Sequence, residues 1–271
     1  MESVDLSMVL EGVISISRQA GAFIRKERES FSLSDIEHKG FNDLVSYVDK
    51  ESEKMIVDGL KRLLPEAGFI TEEGTATTRG ETWNWIIDPL DGTTNFMHGL
   101  PVFATSIALM REKEIVLGVV YEINRDECFS ACEGQPARCN DLDIKVSDAP
   151  RLSESLMATG FPYYNFDKMP TYLDIINELM RSTHGLRRMG SAAVDLVYTA
   201  CGRFEGFFEY NLNPWDVAAG AFIVQQAGGI VSDFSGGNNY VFGREILAGN
   251  HSQPEMLKII QKHWIQGYDV S

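Results

Sequence analysis

The run Trp85-Ile86-Ile87-Asp88-Pro89-Leu90-Asp91-Gly92-Thr93-Thr94-Asn95 brings an apolar strand up to two closely spaced carboxylates and then into small, polar residues. Carboxylates suit hard cations, which take oxygen donors. Gly92, Thr93 and Thr94 stand at what reads as a helix start, where free backbone N–H groups and the positive dipole end suit an anion. The pattern fits a cation site beside a phosphate site. Glu72, Asp88, Asp91 and Asp216 all fall at apparent strand ends or a helix start, from which separate elements can aim side chains at one point. Magnesium suits such a set, with a backbone carbonyl such as that of Leu90 as a further donor. The five histidines fall in no ligand spacing. Each acid also has a plainer explanation. Asp49 and Asp91 read equally as helix N-caps, Asp216 as a third-position helix acid favoured by the dipole, Asp88 as a turn residue before Pro89, and Glu72-Glu73 as a solvated turn. Spacing alone does not choose between them.

The elements that must position these residues are legible as hydrophobic periodicity. Apolar residues recur at helical spacing from Leu6 to Arg28, and again after Asp49-Lys50-Glu51 until Pro65 stops the pattern. Phe41 to Val48 is short and mixed. Gly68 to Thr71 and Trp83 to Ile87 read as strands. Phe103 to Met110 and Ile115 to Tyr121 read as a hairpin around Arg111-Glu112-Lys113-Glu114, extended by Glu127 to Ala131 and Leu142 to Val146. From Leu152 the order alternates: strand Leu156 to Gly160, helix Thr171 to Met180, helix Gly190 to Ala200, strand Arg203 to Tyr210, and helix Asn213 to Gln226, marked by Asn213-Pro214. Strands Gly229 to Ser232 and Glu245 to Ala248 and a helix from Gln253 to His263 close the chain. Such alternation predicts layers of helix and sheet. No repeat or linker forces a boundary, so residues 1–271 read as a single domain of two packed halves, roughly 1–150 and 151–271.

With 271 residues, 44% of them hydrophobic, the chain can bury a sizeable core. Its formal net charge of -15 argues against non-specific binding of nucleic acid or an anionic membrane. An anionic substrate would need a cation to offset that field. Met1 to Leu10 has no signal-peptide character and no run approaches a membrane span, so a soluble cytoplasmic protein is expected. Cys128, Cys132, Cys139 and Cys201 lack paired spacing and read as reduced, mostly buried thiols.

Taken together, these residues resemble the inositol monophosphatase family, within the lithium-sensitive, magnesium-dependent phosphatases that include fructose-1,6-bisphosphatases. Asp88-Pro89-Leu90-Asp91-Gly92-Thr93-Thr94-Asn95 matches its first signature and Trp215-Asp216-Val217-Ala218-Ala219-Gly220 its second. Asp43-Leu44-Val45-Ser46-Tyr47-Val48-Asp49 and Thr71-Glu72-Glu73 fill the remaining metal-site motifs in order. The resemblance covers nearly the whole chain and implies an α+β fold, a layered αβαβα sandwich, acting as a homodimer. It implies two to three magnesium ions: one held by Glu72, Asp88 and the Leu90 carbonyl, a second by Asp88, Asp91 and Asp216, and a weaker third near Glu72 and Asp49. The metals and the amides of Gly92 and Thr93 would grip the phosphate, and Asp91 and Asp216 would also border the substrate. Glu72 and Thr93 would position a metal-activated water, with Asp49 taking its proton through Thr93, and a second water on the Asp216 side would protonate the leaving alkoxide. No covalent phospho-enzyme is implied.

The leaving alcohol is less constrained. By resemblance, Glu209 accepts hydrogen bonds from ring hydroxyls, and Gly190-Ser191-Ala192 lines the same pocket. Both point to a polyol monophosphate, foremost inositol 1-phosphate. Arg187-Arg188 is a nearby basic pair where the family commonly has one arginine, and the turn within Ser235 to Arg244 departs from better-known members. Fructose 1,6-bisphosphate, a 3′-phosphonucleotide and histidinol phosphate therefore stay open as alternatives. So does a partner-binding protein on the same fold, although none of the implied ligands has been lost.

Overall fold

A helix forms from Leu6 to Ser30 (α1) because its apolar residues repeat along one stripe and the Asp5 carboxylate caps the amides of Ser7 (3.0 Å) and Met8 (3.3 Å). The computed structural model describes residues 4–31, 36–40, 43–163 and 165–264, with only the backbone for 36–40 and 43–46. Phe41 and Asn42, in the segment read as mixed, lie outside the described residues, as do residues 1–3 of the amino-terminal stretch. Ile36–Gly40 (β1) and Asp43–Ser46 (β2) pair as an antiparallel ribbon that leads into α2, Tyr47–Leu63. Asp49 is thus the third residue of its helix, and the plainer alternative of an N-cap does not hold.

Seven strands build the first sheet: Gly68–Thr71 (β3), Trp83–Asp91 (β4), Ala104–Arg111 (β5), Glu114–Glu122 (β6), Glu127–Cys132 (β7), Arg138–Cys139 (β8) and Leu142–Asp143 (β9). They lie in sequence order, antiparallel except for the parallel β3–β4 pair. The strand expected to end at Ile87 runs on to Asp91. The one expected over Leu142 to Val146 stops at Asp143. A short helix, Thr93–His98 (α3), follows β4 directly.

The second sheet takes the order β11-β10-β12-β14-β13, from Leu156–Thr159 (β10), Gly185–Arg187 (β11), Gly206–Tyr210 (β12), Ile230–Ser232 (β13) and Glu245–Gly249 (β14). Between its strands run Met169–Ser182 (α4), Ala192–Ala200 (α5), Pro214–Gln226 (α6) and, after the last, Gln253–Trp264 (α7). The helix expected from Gly190 starts only at Ala192, because Gly190 has φ +88° and Ser191 is the N-cap, its hydroxyl accepting from Val194 N. The strand expected from Arg203 starts at Gly206.

Three cores hold five layers together. Val13 and Ile24 of α1 and Ile56 and Leu60 of α2 pack on one face of the first sheet, against Trp85, Ile87, Ile107 and Leu117. The opposite face, with Ile86, Ala108 and Val120, meets α5 and α6, which also cover Phe207, Ile246 and Ala248 of the second sheet. The far side of that sheet, with Met157, Phe208 and Leu247, is closed by α4 and α7. The result is an αβαβα sandwich. No helix among the described residues is long and apolar enough to cross a membrane. All four cysteines are free, but only Cys128 and Cys132 are buried; Cys139 and Cys201 are half-buried.

Candidate functional site

Asp88 and Asp91 are three residues apart, so in a regular strand they would face opposite sides of the sheet. They do not, because β4 carries an irregularity between them: Asp88 pairs with Ser106 and Asp91 with Ala104, so three steps along β4 match two along β5. The extra residue turns both acids toward α5 and α6. Pro89, which lacks an N–H, stands in this stretch, and the Leu90 amide bonds back to Asp88 Oδ1 at 2.9 Å. The Leu90 side chain is buried among α1 and α2, while its carbonyl lies 2.9 Å from the Thr93 hydroxyl.

The remaining acids arrive from three other elements. β3 runs parallel to β4 with Thr71 opposite Ile87, and the Glu72 amide continues the ladder to the Ile87 carbonyl, which sets Glu72 beside Asp88. Asp49 Oδ1 lies 3.0 Å from the Thr93 hydroxyl, which can donate to it or to the Leu90 carbonyl. Asp216 is the third residue of α6 and accepts from the Asn213 amide through Oδ2 at 2.6 Å, so the plain helix-start reading is true as well. Asp91 is the last residue of its strand and caps no helix of its own; its Oδ2 instead accepts from Ser191 Oγ (2.7 Å) and the Ala193 amide (2.6 Å) at the start of α5, joining the first sheet to that helix. Gly92 follows with φ +94°, and a Cβ there would meet the Val102 carbonyl at 2.9 Å, so both conformation and space require glycine.

Glu72, Asp88, Leu90, Asp91, Gly92, Thr93 and Asp216 line one cleft with Gly190, Ser191, Ala192 and Glu209. Every residue proposed for the site from sequence therefore borders it, except Asp49, which reaches it through Thr93. Glu72-Glu73 is not a free turn. Glu53, buried one helical turn after Asp49, accepts from the amides of Glu73 and Thr75, both at 2.8 Å, and pins the loop behind Glu72. The basic pair is split: Arg188 lines the cleft and donates to Tyr163 Oη at 3.2 Å, whereas Arg187 folds onto the Leu186 carbonyl outside it.

Crowding these acids into one cleft has an electrostatic consequence. Desolvation holds Glu72 and Asp88 well above the usual carboxylate range, reinforced at Glu72 by Asp216 and at Asp88 by Glu72. Desolvation lifts Asp216 to about 7, with help from Asp91. It lifts Asp91 to about 6 against the stabilising bonds from Ser191 and Ala193. Such a set favours any cation that enters. Among the described residues no three His, Cys, Asp or Glu side chains stand as a group that could hold one metal ion between them. The donor chemistry, carboxylates with a carbonyl at hand, fits magnesium and not a soft metal.

Among the residues that shape the cleft and were missed from sequence are Glu53, Asp195 and Arg244. Glu53 could have been noticed as the acid four positions after Asp49. Asp195 could have been noticed as the one charge in the otherwise apolar stretch of α5. Arg244 gave no local signal: it bonds Asn211 and, at 3.1 Å, Asn213, both in the cleft wall, and its charge favours the ionised form of Asp216.

Residues 5–265 match the inositol monophosphatase family. Nus factor SuhB of Escherichia coli (strain K12) is 43% identical over 243 residues, spanning 89% of this chain and 91% of that protein. The crystal structure of the extragenic suppressor protein suhB from Bartonella henselae superposes with a TM-score of 0.88 at 39% identity, covering 94% of this chain and 98% of that one. The inositol monophosphatase from Anabaena (Nostoc) sp. PCC 7120 does so with a TM-score of 0.85 at 32% identity, covering 96% and 98%. The chain, in its ordered motifs, its layered fold and its cleft of acids, belongs to the inositol monophosphatase family.

Proposed function

We propose that this protein is a magnesium-dependent phosphomonoesterase that releases phosphate from a small polyol monophosphate, inositol 1-phosphate foremost. The observation that carries this reading is the convergence of Glu72, Asp88, Asp91 and Asp216 with Gly92, Thr93 and Thr94 on one cleft. Glu72, Asp88 and the Leu90 carbonyl would hold one magnesium, and Asp88, Asp91 and Asp216 a second; Asp49 would stand near a weaker third. Bound divalent cations would supply a more acidic water and offset charge on the attacking and leaving oxygens.

The chain's own residues do the rest. Glu72 orients the attacking water. The Thr93 hydroxyl, bridging the Leu90 carbonyl and Asp49, accepts a hydrogen bond from that water and relays its proton towards Asp49. The amides of Gly92 and Thr93 grip the phosphoryl oxygens. One P–O bond forms to the water and one breaks to the alcohol, whose oxygen takes a proton from a second water on the Asp216 side. Glu209, buried at the end of β12, faces the alcohol with its carboxyl pushed up to about 8 by desolvation and by Asp216, so near neutral pH it can donate as well as accept a hydrogen bond.

The identity to Nus factor SuhB favours a second reading, a partner-binding role of the Nus-factor kind carried on the outer surface. The two are compatible, since the cleft acids are intact. Phosphate release from inositol 1-phosphate, fructose 1,6-bisphosphate, histidinol phosphate and adenosine 3′,5′-bisphosphate, with and without magnesium, tests the first. Magnesium-dependent turnover fastest on inositol 1-phosphate is expected, with inhibition by lithium or calcium; no turnover on any of the four would leave only the second.

A further inference from the structure

Asp195 sits on α5 one helical turn beyond Ser191 and Ala192, so it shares their face and borders the same cleft. It is only 1% exposed, and its Oδ1 has no hydrogen-bond partner among the described residues. Its backbone is satisfied, the carbonyl accepting from the Thr199 hydroxyl at 2.9 Å, so the helix does not require the carboxyl. A buried polar atom without a partner, on a residue that borders a cleft, is a standing cost unless a bound group completes it. The groups facing it are Glu209, 7% exposed on β12, with Asp91 and Arg188. Two buried acids thus stand together on the cleft wall, close to Asp91, with Arg188 the one cation among the described residues that line it.

We propose that Asp195 is a specificity-determining residue that, together with Glu209, binds two hydroxyl groups of the leaving alcohol, so that the cleft selects a polyhydroxylated monophosphate. This rests on the phosphomonoesterase reading. Hydroxyls match the pair because each can donate to a carboxylate or accept from a carboxylic acid. A second phosphate does not match, since it would lie against both acids with one arginine to offset it. A site built around hydroxyls also rejects an analogue that lacks them, because its own polar atoms are then left unpaired.

The test is steady-state phosphate release, with magnesium, from inositol 1-phosphate and from p-nitrophenyl phosphate, which carries no aliphatic hydroxyl. Asp195→Ala should lower kcat/KM for inositol 1-phosphate by about tenfold or more, mostly through KM, and leave p-nitrophenyl phosphate within about twofold. Asp195→Asn, which keeps the shape and a hydrogen-bonding atom, should fall less. Equal losses on both substrates, or none on either, would overturn the inference while leaving the phosphatase reading in place. If wild-type protein hydrolyses neither compound, both fall. Wild-type protein assayed with monodeoxy inositol phosphates gives an independent check that needs no variant: two separate hydroxyls must each cost about tenfold. Sensitivity to one alone would also overturn it.

Discussion

Gly160 is where a single methyl group should separate recognition of the alcohol from the chemistry. β10 and β12 are parallel, with Thr159 opposite Phe208, so the next residues, Gly160 and Glu209, stand side by side. A Cβ at position 160 would lie 2.1 Å from Glu209 Oε2 and 2.2 Å from both Cδ and Oε1. Ordinary contact begins near ~3.5 Å, so the carboxyl must retreat by about 1 Å or more. It is the flexible end of a side chain on the cleft wall, so it can shift, but only by leaving its present place beside the alcohol. Overpacking of this size costs about 1–3 kcal/mol, which for a chain of this length lowers Tm by a few degrees, about 2–4 °C per kcal/mol. Displacing a substrate-positioning group by about 1 Å costs on the order of a hundredfold in rate. Gly160→Ala should therefore fold, melt a few degrees lower, and lose about ten- to a hundredfold in kcat/KM for inositol 1-phosphate. Hydrolysis of p-nitrophenyl phosphate, which does not need Glu209, should change far less. Adding Glu209→Asp shortens the opposing side chain and should restore Tm without restoring recognition. Unchanged turnover of inositol 1-phosphate by folded Gly160→Ala, or parallel losses on the two substrates, would refute the placement of the alcohol against Glu209.

Asp216→Asn keeps an oxygen able to accept from the Asn213 amide but removes the charge, so α6 should stay folded while kcat/KM falls by about a hundredfold or more, the scale of several kcal/mol of lost charge stabilisation. Full turnover in that variant would exclude Asp216 as a metal ligand. In magnesium-free protein, burial pushes the carboxyls of Asp91, Asp216 and Glu209 up to about 6, 7 and 8, above their unfolded values of about 4. The folded state then binds more protons than the unfolded one between those limits, so Tm should fall as pH rises from about 4 to about 8. Magnesium should raise Tm more at pH 8 than at pH 5, because its ligands must be ionised. A magnesium shift in Tm that is the same at both pH values would argue against carboxylate ligation.

Residue types and their order carried much of this protein in the chain itself. Helical and strand periodicities are local properties, so α1, α6 and the β5–β6 hairpin could be read within a few residues, and the acids and the Gly92-Thr93-Thr94 turn announced oxygen-ligand and anion chemistry. What the chain could not declare was which carboxylates meet. That depends on pairing between segments far apart: the extra residue in β4 that brings Asp88 and Asp91 to one face, the parallel register that sets Glu72 beside Asp88, and the bond from Asp91 to the start of α5, about a hundred positions later. The same holds for the parting of Arg187 from Arg188, and for Asp195, Glu53 and Arg244, whose meaning comes from what surrounds them. Periodicity says which way a side chain points within its own element, but only the packing of one element on another sets the distances over which charge acts, and those distances turn scattered acids into a site.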